Sequence, residues 1–177
     1  DKFEKVAHRS PMLSLSNTYN AEEVAQWVER LKGGLPDEEV EFVMELKYDG
    51  VAISLWYEQG NLVRAVTRGD GTTGEDVRAN VATIRTLPLQ LQAGAPDPLE
   101  IRGEIYFPWP DFEALNLARR EAGEQEFANP RNTAAGTLKL QDSKVVATRP
   151  LDCMIYNVDA QTIAGAEGEC HSEAVAM

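Results

Sequence analysis

Val40, Phe42, Met44 and Leu46 alternate with Glu41, Val43, Glu45 and Lys47, so the spacing predicts a strand that ends near Lys47. Glu45 and Lys47 then share its polar side. Asp49 joins them if the strand runs on, and Gly50 allows a tight turn or a close backbone approach. Val51 to Glu58 and Leu62 to Arg68 are two further strand-like runs around Gln59-Gly60-Asn61, which predicts a hairpin. Pairing outward from that turn brings Arg68 back towards the Lys47 to Gly50 end. Leu99, Ile101, Gly103, Ile105 and Phe107 alternate with Glu100, Arg102, Glu104 and Tyr106, a strand with Glu104 on its polar face. A last strand is expected over Leu151 to Val158.

Helical spacing appears in four places. Asn20 to Leu31 has Asn20 as cap, Glu23 in capping-box position and Gly33-Gly34 as a stop, and Val24, Trp27, Val28 and Leu31 predict a core-facing stripe. Val77 to Ile84 is short and amphipathic. Pro110 to Ala122 has Phe112, Leu115 and Ala118 facing inward, with Gly123 after it. Asn129-Pro130 opens another helix with Arg131 in its first turn. Between them, Gly69-Asp70-Gly71-Thr72-Thr73-Gly74 is a turn leading into a helical start at Glu75-Asp76. Its amides could cradle an anion, but those two acids would repel a phosphate, so a structural turn is expected. Pro88, Gly94, Pro96 and Pro98 mark loop. Residues 1–10 show no period and are expected to be a connector from an upstream module. Residues 11–177 are expected to form one domain, incomplete at its C-terminal end, where Ser172 to Met177 reads as a capped helix. Pro11 to Asn17 forms a short apolar arm, with Met12, Leu13 and Leu15 expected to dock on the core. The fold class is α+β, mainly antiparallel sheets with flanking helices.

Composition changes this picture little. The 177 residues are 43% hydrophobic and 26% charged, as in an ordinary globular protein. Neither a membrane-spanning run nor a signal-peptide pattern is visible, and a cytoplasmic monomer is expected. Cys153 and Cys170 make no disulfide framework and no zinc spacing, and two free buried thiols are expected. The net charge of −12 points away from a protein that grips nucleic acid through its overall field. Arg64, Arg68, Arg102, Arg119, Arg120 and Arg131 could form a local positive face, which sequence leaves open.

A lysine flanked by carboxylates at the lip of a sheet is chemically a candidate nucleophile, and the same residues also describe a solvated strand end. Lys47-Tyr48-Asp49-Gly50 has the form Lys-x-Asp-Gly, shared by polynucleotide ligases and capping enzymes. With Thr67-Arg68-Gly69-Asp70-Gly71-Thr72-Thr73-Gly74-Glu75-Asp76, Arg102-Gly103-Glu104 and Phe127-Ala128-Asn129-Pro130-Arg131-Asn132, it stands in the order and spacing of bacterial NAD-dependent DNA ligases. From about Pro11 to Val158 the chain resembles the adenylation domain of that family.

The resemblance implies a covalent-nucleotidyltransferase fold and a reaction serving DNA replication and repair. Lys47 attacks the α-phosphorus of NAD, nicotinamide mononucleotide leaves, and AMP passes from the lysine to the 5′-phosphate of nicked double-stranded DNA. Only a neutral amine attacks, so cations such as Arg68 or Mg²⁺ with the nucleotide phosphates would help, and Glu45 and Asp49 oppose. The resemblance assigns Lys47 and Asp49 to catalysis, and Ser14, Leu15, Glu45, Arg68 and Glu104 to the nucleotide, with Glu104 on the ribose. No residue is assigned as a metal ligand, and zinc is expected only in a further C-terminal module. Arg131 matches a family arginine linked to nucleic-acid phosphates. The family's second arginine, eight residues on, is Lys139 here, which keeps the charge and loses the bidentate fork. An ATP-dependent ligase or capping-type enzyme, and a non-catalytic nucleotide-binding fragment, remain the alternative readings.

Overall fold

The computed structural model describes residues 3–158, in two compact units: residues 3–12 with Lys47 onward, and Leu13–Leu46. Ser172 to Met177 and Cys170 lie outside the described residues.

The first unit is built on a four-stranded antiparallel sheet of order β3-β2-β5-β6, from β2 (Val51–Glu58), β3 (Asn61–Thr67), β5 (Leu99–Tyr106) and β6 (Asp152–Val158). The hairpin forms as the sequence predicts. Gln59 and Gly60 hold φ of 50° and 71°, the left-handed pair that a two-residue turn matched to strand twist requires. One face of the sheet is apolar: Ile53, Leu55 and Tyr57 of β2 and Leu99 and Ile105 of β5 are buried. Helices pack against it. α2 (Arg78–Val81) and the turns after it bury Val81 and Ile84; α3 (Trp109–Glu121) buries Phe112; α4 (Pro130–Leu138) buries Ala134 and Leu138; α5 (Ser143–Ala147) buries Val146. Buried Asn80 donates to the Leu138 and Leu140 carbonyls at 2.8 and 2.7 Å, satisfying the end of α4. The α4 start is the expected one, with Asn129 accepting from the Asn132 amide at 2.8 Å.

Several local expectations change. Lys5–Ala7 is a strand, β1, where no period was readable; it pairs with β4 (Thr73–Glu75). β4 replaces the helical start expected at Glu75-Asp76, because β1 supplies the partner that a strand needs. In α3 the inward residue of the last turns is Asn116, not Ala118, which is exposed. Asn116 is held by the main chain of Phe127 in both directions, at 2.8 and 3.0 Å. Cys153 is free but only partly buried. Others concern residues 13–47.

In the Leu13–Leu46 unit, α1 (Ala21–Gly34) is capped by Asn20, whose side chain accepts from the Glu23 amide at 2.9 Å, while Glu23 answers the Tyr19 amide at 2.8 Å. Gly33 and Gly34 fall inside its last turn rather than stopping it. None of its residues is buried, so the Val24, Trp27, Val28 and Leu31 stripe does not face a core; Trp27 meets Phe42 at 5.5 Å between ring centres. Leu13 and Leu15 are exposed, and of the arm only Met12 is buried. The strand expected over Val40 to Lys47 does not form, and Met44 is 97% exposed. Alternation states which face would be apolar, but a strand also needs a neighbour for its N–H and C=O groups. Among the described residues none pairs with this segment.

Candidate functional site

β5 is the platform on which the Lys47 to Gly50 segment is fixed. Its polar-face residues Glu104 and Tyr106 each take one residue of that segment. The Glu104 carboxylate accepts the Gly50 amide at 3.0 Å, and the Tyr106 ring lies 4.7 Å from the Tyr48 ring. The Tyr106 hydroxyl donates to Asp152 at 3.1 Å, so the platform is tied to β6 in turn. Gly50 is required by contact rather than by φ: a Cβ there would stand 2.1 Å from the Ile105 carbonyl oxygen. Gly103 of the Arg-Gly-Glu motif has a parallel reason. Its Cβ would meet the Met154 carbonyl at 2.7 Å, where the β5–β6 register shifts.

The sheet register brings Arg68 to the same place. Its amide bonds to the Ala52 carbonyl at 3.2 Å, and Ala52 pairs with Glu104 on the other side. Arg68 and Glu104 thus lie in one cross-strand row, two strand spacings or roughly 10 Å apart at the backbone. Lys47, Arg131 and Arg68 all act electrostatically on Glu104. Burial nevertheless raises the Glu104 carboxyl above the usual carboxylate range, against the pull of the Gly50 amide and those three cations. Asp49 is exposed and forms an ion pair with Arg131 at 3.0 Å, the helix α4 start placing that guanidinium. Lys47, Asp49, Arg68 and Glu104 therefore converge on one end of the sheet, with Arg131 added. Ser14, Leu15 and Glu45 belong to the second unit, where all three are exposed.

Two residues here carried no sequence assignment. Tyr156 of β6 lies within electrostatic reach of Glu104, Arg102 and Arg68, and burial raises its hydroxyl pKa. His8 places Nε2 3.1 Å from the Arg68 carbonyl. The alternation of β6 could have drawn attention to Tyr156; nothing around His8 has a pattern.

The other arginines do not join this cluster as a positive face. Arg64 pairs with Asp76 and Glu4, Arg102 with Glu100, Arg119 with Glu124 and Arg120 with Glu126. Lys139, at the end of α4, bonds to Glu75 at 2.8 Å. The Gly69–Gly74 turn is occupied by its own side chain: Asp70 accepts the Thr73 and Thr72 amides and the Thr72 hydroxyl, which holds its carboxyl down at about 2. Those amides are not turned to an outside anion. A separate open cleft of about 590 Å³, lined by Glu4, Arg9, Trp56, Arg64, Asp76 and Arg78 among others, contains none of the residues predicted for the site. Its Arg9 lies over Trp56 and pairs with Glu58. At the Lys47 end of the sheet, by contrast, an amine, two guanidinium groups and a partly buried carboxylate lie together. Among the described residues, no group of three or more His, Cys, Asp or Glu side chains could hold a metal ion. No helix among them is long and apolar enough to cross a membrane.

The profile of the NAD-dependent DNA ligase adenylation domain matches residues 1–177. A DNA ligase of Desulforudis audaxviator is 52% identical over 157 residues, covering 88% of this chain and 23% of that protein. The DNA ligase of Phocaeicola vulgatus is 56% identical over 155 residues, 87% of this chain and 23% of that protein. That of Desulforamulus reducens is 49% identical over 174 residues, 98% of this chain and 26% of that protein. The chain spans about a quarter of the length of these curated relatives.

Proposed function

From the premise that this chain belongs to the NAD-dependent DNA ligase adenylation domain family, we propose that it carries the nucleotidyl-transfer centre of a DNA ligase. The fold is then of the covalent-nucleotidyltransferase type. NAD is cleaved in the reaction and so acts as a substrate. The observation that carries the reading is the convergence of Lys47, Arg68 and Arg131 on Glu104 beside the Gly50 amide.

Each residue has a distinct task. The Lys47 Nζ attacks the α-phosphorus of NAD, a P–N bond forms, and the P–O bond to nicotinamide mononucleotide breaks. Arg68 presents a planar fork of donors to phosphate or ribose oxygens. Glu104, an acceptor at the same end of the sheet, accepts hydrogen bonds from ribose hydroxyls. Asp49 orients the lysine segment and is itself held by its ion pair with Arg131. Ser14, Leu15 and Glu45 contact the adenosine. The AMP then passes to the 5′-phosphate of a nick in double-stranded DNA, and the neighbouring 3′-hydroxyl displaces it. Arg131 meets nucleic-acid phosphate in those later steps, and Lys139 gives a weaker, single-point contact. The described residues offer no ready-made carboxylate cage, so Mg²⁺ would be held by nucleotide phosphates. The whole protein works as a cytoplasmic bacterial monomer in DNA replication and repair.

The test is to incubate the full-length protein with Mg²⁺ and NAD, ATP or GTP and to measure its intact mass. NAD should add one AMP, the other two nothing, and Lys47→Ala should abolish the adduct. An adduct from ATP or GTP but not NAD would favour the ATP-dependent or capping class; no adduct from any would favour a non-catalytic nucleotide-binding role.

A further inference from the structure

We propose that His8 is a positioning residue for this site: its imidazole holds the main-chain carbonyl of Arg68 and so fixes where that guanidinium stands. The inference rests on the reading of Arg68 as a nucleotide ligand and adds a residue outside every motif of the site.

Arg68 is the first residue past β3, where ladder support ends. Its amide is still held by Ala52, but its carbonyl opens into the Gly69–Gly74 turn, where Gly69 and Gly71 take φ of 58° and 93°. Residues 5–12 wrap that turn. β1 pairs with β4, the His8 amide donates to the Thr72 carbonyl at 2.9 Å, and the Met12 amide donates to the Gly71 carbonyl at 2.9 Å. Those are main-chain contacts to the turn's later residues. The imidazole reaches its beginning, Nε2 standing 3.1 Å from the Arg68 oxygen, which also accepts the Gly71 amide at 2.9 Å. A carbonyl oxygen can only accept, so Nε2 carries the proton. Nδ1 is buried and meets no polar partner among the described residues. Burying a nitrogen without a partner is unfavourable, and an apolar ring would fill the space without that loss. Packing alone is therefore a poor account of a histidine here; a single directed hydrogen bond to the residue that carries the guanidinium is a better one.

The experiment measures AMP-adduct formation against NAD concentration in the full-length protein. It compares the parent with His8→Ala, His8→Gln, His8→Phe, Arg68→Ala and the His8→Ala/Arg68→Ala pair, with melting temperatures alongside. His8→Ala should lose about tenfold in kcat/KM, mainly through KM for NAD, as expected for a misplaced binding group. His8→Gln puts an amide nitrogen near the Nε2 position and should recover most of the loss. His8→Phe fills the space without a donor; it should show the loss even where His8→Ala melts too low to assay. The double variant should be no slower than Arg68→Ala alone. Multiplying effects in the double variant, or equal activity in His8→Phe and His8→Gln, would overturn the positioning role while leaving the Arg68 reading intact. An Arg68→Ala protein with unchanged kinetics would overturn both.

Discussion

A Cβ on Gly50 would stand 2.1 Å from the Ile105 carbonyl, so the glycine of Lys-x-Asp-Gly is there to let the lysine segment lie against β5. Gly50→Ala should cost at least about 2 kcal/mol, because backbone rather than a side chain must move. Chemical denaturation measures it, and AMP-adduct formation should fall with it. Glu104 gives a pH prediction of definite sign. Its folded carboxyl is raised, so the group favours the fold fully below the ordinary carboxylate range, and that contribution is lost as pH rises through the raised value. Glu104→Gln keeps an acceptor for the Gly50 amide without the buried charge. It should melt no lower than the parent at neutral pH, with any advantage vanishing in acid; a Gln variant that melts lower at neutral pH would contradict this. Hairpin arithmetic brought Arg68 back to the lysine end and alternation put Glu104 on a polar face, while only the family resemblance placed Glu104 at the same site. The Asp49–Arg131 pair was not, because it depends on where α4 is placed against the sheet, which no local pattern records.

Elements were legible where their chemistry is local. The hairpin needed only Gln59-Gly60 between two apolar runs, and α4 only its Asn129-Pro130 start. Elements that depend on a distant partner were not. β4 is a strand because β1 lies beside it, and residues 40–47 are not one although their alternation is regular. The end of α4 shows the same dependence: the Leu138 and Leu140 carbonyls are satisfied by Asn80, 58 and 60 residues away. Asn80→Ala should therefore cost about 2 kcal/mol by leaving buried carbonyls unpaired. Its denaturation midpoint checks this, and a change within error would contradict it.

At the scale of the molecule, a net charge of −12 argued against nucleic-acid chemistry, whereas the sheet end collects Lys47, Arg68 and Arg131 around one partly buried carboxylate. Net charge sums the surface and says nothing about how cations are paired. Arg64, Arg102, Arg119 and Arg120 each pair with a neighbouring acid, whereas Lys47, Arg68 and Arg131 act together on Glu104. The measurement that bears most directly on this is the location of the covalent nucleotide. The full-length protein is incubated with NAD, digested, and its peptides sequenced by tandem mass spectrometry. AMP is expected on Lys47 and on no other residue; AMP on a different lysine, or an unchanged yield of adduct in Lys47→Ala, would contradict the assignment of Lys47 as the nucleophile.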